Sequence, residues 1–347
     1  MDGEAARGQR DRARDGEELT VDVTVVGSGS WGSAFARHLS RRGHRVQVLT
    51  LTADEAAQLD VTRENLHFLP GVRLPDELMF VAMDEADIGG AELVVYAVPT
   101  QAVREVAAWV APRRASGSLQ LSLAKGYELG TLERPTQVIE DETGSPAAAL
   151  SGPNHAEEVG RDMPSATVVA CADEATAQRL QQAVAGETLR VYTNDDVLGV
   201  EFCGAMKNPI AVAVGMSDGL GFGDNSRAAL ITRSLAEVAR LGLVQGARYE
   251  TFTGLAGIGD LIATCTSRHS RNRRAGELLA SGMTPDEAAA QVGQVVEGFP
   301  TAYALHDLAG RLGVELPVTE NVYEVLEGRR TPSACVADLM GRLPKRE

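Results

Sequence analysis

The apolar run from Val21 to Val26 breaks into Gly27-Ser-Gly29-Ser-Trp-Gly32, and Ser33-Ala-Phe-Ala-Arg-His-Leu39 follows directly. That order predicts a strand, a glycine turn and a helix in immediate succession. Gly43 supplies a helix stop, and His44-Arg-Val-Gln-Val-Leu49 begins a second strand, which completes one strand-helix-strand unit of about thirty residues. Further strand-like apolar runs lie at Leu93 to Val98, Leu119 to Leu123, Ala147 to Leu150 and Ala166 to Ala170, with helical stretches such as Ala102 to Val110 between some of them. Strands that alternate with helices imply a parallel sheet covered on both faces.

Near Asn194 the pattern changes. From Asp196 to Met216 the chain is apolar on nearly every face, which predicts a buried central helix. Beyond it come helical segments broken by Gly and Pro: Arg227 to Arg240, Pro285 to Val292, Thr301 to Leu312 and Thr319 to Leu326. The fold expected is α/β: a Rossmann-type doubly wound sheet domain over residues 20–195, then an all-helical domain over 196–347 that serves substrate binding and dimerisation. Residues 1–19 carry mixed charge and almost no large apolar side chain, so a flexible tail is expected there.

Composition narrows the function classes. A length of 347 residues is about twice that of a usual domain, so two cores are expected. The net charge of -15, from 33 basic and 48 acidic residues, argues against nonspecific contact with nucleic acid or an anionic membrane surface. Cys171, Cys203, Cys265 and Cys335 are widely separated, which suggests neither a zinc site nor a disulfide framework. No uncharged apolar run reaches about 18 residues, and the first twenty residues lack the apolar centre of a secretory signal. A cytoplasmic protein without stable membrane insertion, metal or nucleic-acid partner is expected.

The glycine turn, placed between strand and helix, reads as a pyrophosphate turn. Gly27 allows the tight turn, Gly29 lets the backbone approach the phosphates, and Gly32 lets helix and strand pack closely. Trp31 would cover the cofactor. The tip of the second strand, Leu49-Thr50-Leu51-Thr52, holds neither an acid for the adenosine ribose nor an arginine for a 2′-phosphate. Asp54 and Glu55 follow, where Thr52-Ala-Asp-Glu55 fits a capping box better than a ribose contact. Both NADH and NADPH are therefore expected to bind, with a leaning toward NADPH.

Lys207 lies inside the apolar helix among Phe202, Cys203, Met206 and Ile210. Desolvation there would lower its pKa into the range of a general acid and base; the alternative is a stem that extends to reach water. Pro209 would bend the helix beside it. Ser267 to Arg274 holds four arginines and could bind a phosphate, although such runs are commonly solvated faces. Asp260, directly after the glycine-rich run Gly254 to Gly259, would pair with Lys207, hold a substrate hydroxyl or cap a helix. Lys125, and the turn Gly152-Pro-Asn154, follow strand-like runs whose carboxyl ends would face a ligand crevice. A surface position is the bland alternative for Lys125, and a simple Gly-Pro turn for the other.

Taken together in order, Gly27-Ser-Gly-Ser-Trp-Gly32, Asn65-Leu-His-Phe-Leu-Pro-Gly71, Lys125-Gly126, Ser151-Gly-Pro-Asn-His-Ala-Glu157, Lys207-Asn208, Asp218 to Asn225, Gly257-Ile-Gly-Asp260, Ser270-Arg-Asn-Arg-Arg274 and Gly293-Gln-Val-Val-Glu-Gly298 resemble the bacterial NAD(P)-dependent glycerol-3-phosphate dehydrogenases. The resemblance runs from Val21 to about Leu343. It implies a helical half like the carboxyl-terminal domain of 6-phosphogluconate dehydrogenase. It also implies reversible reduction of dihydroxyacetone phosphate to sn-glycerol 3-phosphate for phospholipid synthesis, with NADH or NADPH as cofactor and Lys207 as proton donor and acceptor. By the same resemblance Lys125, Gly152, Asn154, Lys207, Asp260, Ser270, Arg271 and Asn272 would surround the substrate. Ser30, Trp31, Lys125, Ala156, Arg271, Val295 and Glu297 would by that resemblance face the cofactor, beside Gly27, Gly29 and Gly32 of the turn read above. The chain departs from the family pattern at Asn154, often Thr or Ser there, at Pro209, and at the second strand tip, which lacks the usual basic or His-containing sequence. Two other readings stay open: a hydroxyacid dehydrogenase of the same plan, and a nonenzymatic dinucleotide sensor.

Overall fold

Residues 20–341 are described by a computed structural model, and the expected tail over 1–19 lies outside the described residues. The first unit runs as read: β1 (Asp22–Val26), α1 (Ser30–Arg41) and β2 (Arg45–Thr50), with α1 beginning at Ser30 inside the glycine turn. Next come α2 (Ala53–Thr62), β3 (Met79–Ala82), β4 (Leu93–Tyr96), α3 (Val103–Val110), β5 (Leu119–Ser122), α4 (Pro135–Thr143) and β6 (Ala148–Ser151). A short α5 (Ala156–Val159) leads to β7 (Ser165–Ala170), α6 (Glu174–Val184) and β8 (Leu189–Asn194).

The eight strands form one sheet in the order β3-β2-β1-β4-β5-β6-β7-β8. Crossover connections keep β1 to β6 parallel, but β7 runs antiparallel to β6, with Leu150 opposite Val169, so the sheet is mixed where a parallel one was expected. The connection between them, residues 152–164, carries only the four-residue helix α5, about one turn, which does not run back along the sheet to start a parallel strand. β3 and β8, which the apolar pattern did not single out, pair in parallel with β2 and β7. One apolar layer, including Val25, Phe35, Leu39 and Leu180, covers one face of the sheet, and Val94, Tyr96, Val103 and Ile139 belong to the layer on the other.

After β8 the chain is helical: α7 (Val197–Gly219), α8 (Asp224–Gln245), α9 (Tyr249–Phe252), α10 (Asp260–Thr266), α11 (Arg271–Ala280), α12 (Pro285–Val292), α13 (Gly298–Leu312), α14 (Pro317–Leu326) and α15 (Pro332–Gly341). Asp196 caps α7 by accepting from the Gly199 N–H at 2.9 Å. α7 is long and apolar enough to cross a membrane by composition alone, yet 89% of that stretch is buried inside the protein. It runs continuously through Pro209, whose missing N–H leaves the Ala205 carbonyl without its helical donor. Gly215 lets α11 pack against it: a Cβ there would lie 1.9 Å from the Arg273 carbonyl oxygen. The four cysteines are free and buried.

Candidate active site

A cleft of about 590 Å³ opens at the carboxyl ends of β1, β2, β4 and β5 and is closed on its other side by α7, α10 and the segment before α11. Its first wall is the glycine turn. Gly27 has φ +110°, and a Cβ on it would meet the Ala97 carbonyl oxygen at 2.6 Å. A Cβ on Gly32 would sit 2.0 Å from the Gly27 carbonyl oxygen, so this glycine allows α1 to lie against the turn. At Gly29 a Cβ would meet nothing within 4 Å. Gly29 is also the residue before α1, whose first N–H groups lack carbonyl partners in the helix. An open backbone beside a helix N-terminus suits the pyrophosphate of a dinucleotide. Trp31 lines the same cleft, packs partly against the core beside Phe35, and keeps its Nε1 buried without a partner among the described residues. It therefore combines a cleft-facing surface with a share of the core. Ser30 donates to Gln294 Oε1 at 3.2 Å and so ties the turn to the helical half.

Three ionic groups meet at the inner end. Lys125 lies just past β5, and its Nζ donates to Asp260 Oδ2 at 2.8 Å, Asn154 Oδ1 at 3.1 Å and the Gly152 carbonyl at 3.2 Å. Lys207, from the middle of α7, donates to Asp260 Oδ1 at 2.7 Å and Thr264 Oγ1 at 2.9 Å. One carboxylate thus serves two ammonium groups, each lysine on its own oxygen. Asp260 opens α10 but does not cap it, since its carboxylate points at the lysines. The turn that places it, Leu255–Gly259, is a π-helical kink, where a Cβ on Gly257 would lie 2.2 Å from the Phe252 carbonyl oxygen. Burial would raise the Asp260 carboxyl, but Lys125 and Lys207 outweigh it and hold its pKa at about 2. Burial dominates at Lys207, and the Lys125 charge adds to it against the attraction of Asp260, lowering the pKa to about 8.

An ammonium has three N–H donors. Those of Lys125 are all engaged by protein oxygens, whereas Lys207 lines the cleft and makes two such bonds, with no partner for its third N–H among the described residues. Of the expected substrate residues, Gly152 is the one that does not line the cleft; its carbonyl sits behind Lys125. Asn154 lines it and also donates to Thr167 Oγ1 at 2.9 Å.

Opposite the lysines, Ser270 caps α11 by accepting from the Arg273 N–H at 3.2 Å, leaving its own hydroxyl hydrogen to donate outward. Arg271 lines the cleft with its side chain exposed there, and it makes no hydrogen bond or ion pair among the described residues. Asn272 donates to Asn208 Oδ1 and accepts from the Gly298 N–H, both at 2.9 Å, and Asn208 donates to the Lys125 carbonyl at 2.8 Å. Two other arginines of that run are turned away: Arg273 pairs with Asp218 and Glu277, and Arg274 with Glu277. Val295 is exposed on the cleft wall, Ala156 lines it at the start of α5, and Glu297 accepts from the Thr100 N–H at 3.0 Å. Burial raises the pKa of Glu297. Sequence reasoning gave no role to Thr264, Asn208 or Gln294; only the i, i+4 spacing of Asp260 and Thr264 on α10 signals one of them.

The tip of β2 differs from its reading as a capping box. Thr52 Oγ1 accepts from the Glu55 N–H at 3.2 Å, but the Glu55 carboxylate accepts from the Leu51 N–H and the Ser28 hydroxyl and lines the cleft.

Known proteins resemble this chain in sequence and fold. Residues 22–177 match the family model of the NAD-dependent glycerol-3-phosphate dehydrogenase N-terminus, and residues 196–337 match that of the C-terminus. The chain is 49% identical over 324 residues to the glycerol-3-phosphate dehydrogenase [NAD(P)+] of Moorella thermoacetica, covering 93% of this chain and 97% of that one. The corresponding protein of Pelotomaculum thermopropionicum is 46% identical, over 93% and 94%. Among solved structures, the glycerol-3-phosphate dehydrogenase of Coxiella burnetii superposes with a TM-score of 0.89 at 36% identity, over 93% of this chain and 99% of that one. The chain belongs to the NAD-dependent glycerol-3-phosphate dehydrogenase family.

Proposed function

We propose that this protein reversibly reduces dihydroxyacetone phosphate to sn-glycerol 3-phosphate with NADH or NADPH, supplying the backbone of glycerophospholipids. The observation that carries the reading is the placement of Lys207: a desolvated ammonium with one free N–H, facing a cleft between a pyrophosphate turn and an unpartnered arginine. Reduced nicotinamide, when bound, supplies a hydride to the ketone carbon. Lys207 gives a proton to the oxygen that becomes the alkoxide, and in the reverse direction its free amine removes that proton. A pKa of about 8 leaves both forms populated near neutrality, as a bidirectional acid and base requires. Lys125, with its three donors engaged, orients Asp260 and adds positive potential beside the forming oxyanion. Arg271, the Ser270 hydroxyl and the first N–H groups of α11 receive the phosphate, whose binding orients the carbonyl. Asn272 contributes through its place in that helix turn, since its side chain is committed to Asn208 and Gly298.

The same reading divides the labour between a dinucleotide-binding half over residues 20–195 and a helical half over 196–347. It includes a cytoplasmic location and association of two copies through the helical half, where Leu243, Val244 and Tyr249 are exposed apolar side chains. Sedimentation at several concentrations tests the association, with a single monomer-sized species as the contrary result. The central test mixes the protein with NADH or NADPH and dihydroxyacetone phosphate and follows the nicotinamide absorbance. Consumption that depends on dihydroxyacetone phosphate and is inhibited by inorganic phosphate is expected. Turnover only with a small 2-oxo acid would assign a hydroxyacid dehydrogenase, and none with any substrate a sensor.

A further inference from the structure

Charge is distributed unevenly along the cleft. The lining cations Lys125, Lys207 and Arg271 stand with Glu157, Asp260 and Glu297 at the β5 end and the helical wall, whereas the wall built from β2, β3, β4 and the helices after them offers Glu55 and Glu105 and no Lys or Arg. The sheet order sets the separation: β2 and β5 are three strand spacings apart, roughly 14 Å, beyond a Debye length in physiological salt. Basic residues nearest β2 in the chain are engaged elsewhere. Arg45, at the opposite end of that strand, pairs with Asp22, and Arg63 pairs with Asp60 and donates to the Leu78 carbonyl at 2.7 Å.

In a dinucleotide fold the adenosine lies over the second strand, so this acidic wall meets the adenosine ribose. We infer that Glu55 reads the ribose hydroxyls and makes the enzyme select NADH over NADPH, the reverse of the leaning drawn from the bare strand tip. Two hydrogen bonds hold Glu55 in position, because the Ser28 hydroxyl in the glycine turn and the Leu51 N–H donate to its two oxygens. A carboxylate has about four lone-pair sites, so acceptors remain for the 2′- and 3′-hydroxyls. A 2′-phosphate in the same place would meet the Glu55 carboxylate with no Lys or Arg on that wall, a like-charge contact with nothing to offset it. The inference rests on the dinucleotide reading but not on the identity of the reduced substrate.

Direct binding tests this, with no triose phosphate present. Titration of NADH and NADPH, and of AMP against 2′,5′-ADP, should show NADH and AMP binding at least about thirtyfold more tightly than their phosphorylated counterparts, where like charges face each other. In E55Q, which keeps the shape and an acceptor for Ser28 or Leu51, NADPH should bind more tightly and NADH slightly less, shrinking the ratio about tenfold or more. Equal binding of NADH and NADPH by the unaltered protein overturns the inference. So does an E55Q variant that weakens both ligands alike, the signature of a residue that only braces the turn. An enzyme that binds NADH selectively yet ignores dihydroxyacetone phosphate would defeat the proposed function and leave this inference standing; equal binding of both cofactors with normal reduction would do the opposite.

Discussion

The two walls of the cleft are built by different means. The sheet contributes from its loops: Lys125 stands just beyond β5, with Gly152 and Asn154 just beyond β6, and each is held by hydrogen bonds to neighbours. The helical half contributes from its interior, with Lys207 in the middle of a 23-residue helix whose surroundings are apolar. A loop lysine can saturate its donors with nearby oxygens. A core lysine finds only what another helix presents, here Asp260 and Thr264 on α10, and keeps one N–H for the cleft. On the function proposed above, that difference gives Lys125 the part of a brace and Lys207 that of the proton donor, although the two share one carboxylate.

The largest expected effect comes from removing that shared group. Asp260→Ala leaves two ammonium groups facing each other without a counter-ion, and loss of one partner from a buried pair costs about 3–5 kcal/mol. Denaturant unfolding should show it, and an unchanged midpoint would mean that water already screens the cluster. Next, Lys207→Ala should lower kcat at least about a hundredfold with little change in cofactor affinity, as loss of a general acid does. Near-normal turnover would transfer the proton to another group. Arg271→Ala should weaken substrate binding by roughly 1.5–3 kcal/mol, the worth of a charged hydrogen bond, read as a higher KM. An unchanged KM would return Arg271 to the surface.

The smallest effect is in pH dependence. Reduction needs the Lys207 ammonium, so its rate should fall as pH rises through about 8, while oxidation of glycerol 3-phosphate, which needs the free amine, should rise over the same range. Because the Lys125 charge contributes to lowering that pKa, Lys125→Met should move both limbs to higher pH. A limb that stays in place would separate the two lysines electrostatically.

Legibility in the sequence follows the range of the interactions. Turn and helix of the first unit are readable because Gly27, Gly29 and Gly32 act within a few residues of one another. Lys207 stands out because a charge within an apolar helix needs a reason, and Asp260 because a carboxylate in a glycine-rich turn rarely stands alone. Local pattern misleads at Glu55: the capping spacing is real, but its carboxylate is drawn to Ser28, 27 residues upstream. The reversal of β7 is hidden in the same way, since an apolar run carries no direction and the brevity of α5 shows only once its ends are known. Gly152 reads as a substrate residue from its position after a strand, yet the strand tip turns its carbonyl inward to Lys125.

Chemical rescue puts the assignment of the two lysines to its most direct test. Small primary amines added to Lys207→Ala should restore reduction of dihydroxyacetone phosphate, with a rescue rate that varies with amine pKa, because an external ammonium can replace a missing proton donor. The same amines should give Lys125→Ala no such pKa-dependent recovery of kcat. Pronounced rescue of Lys125→Ala, with none for Lys207→Ala, would contradict the account.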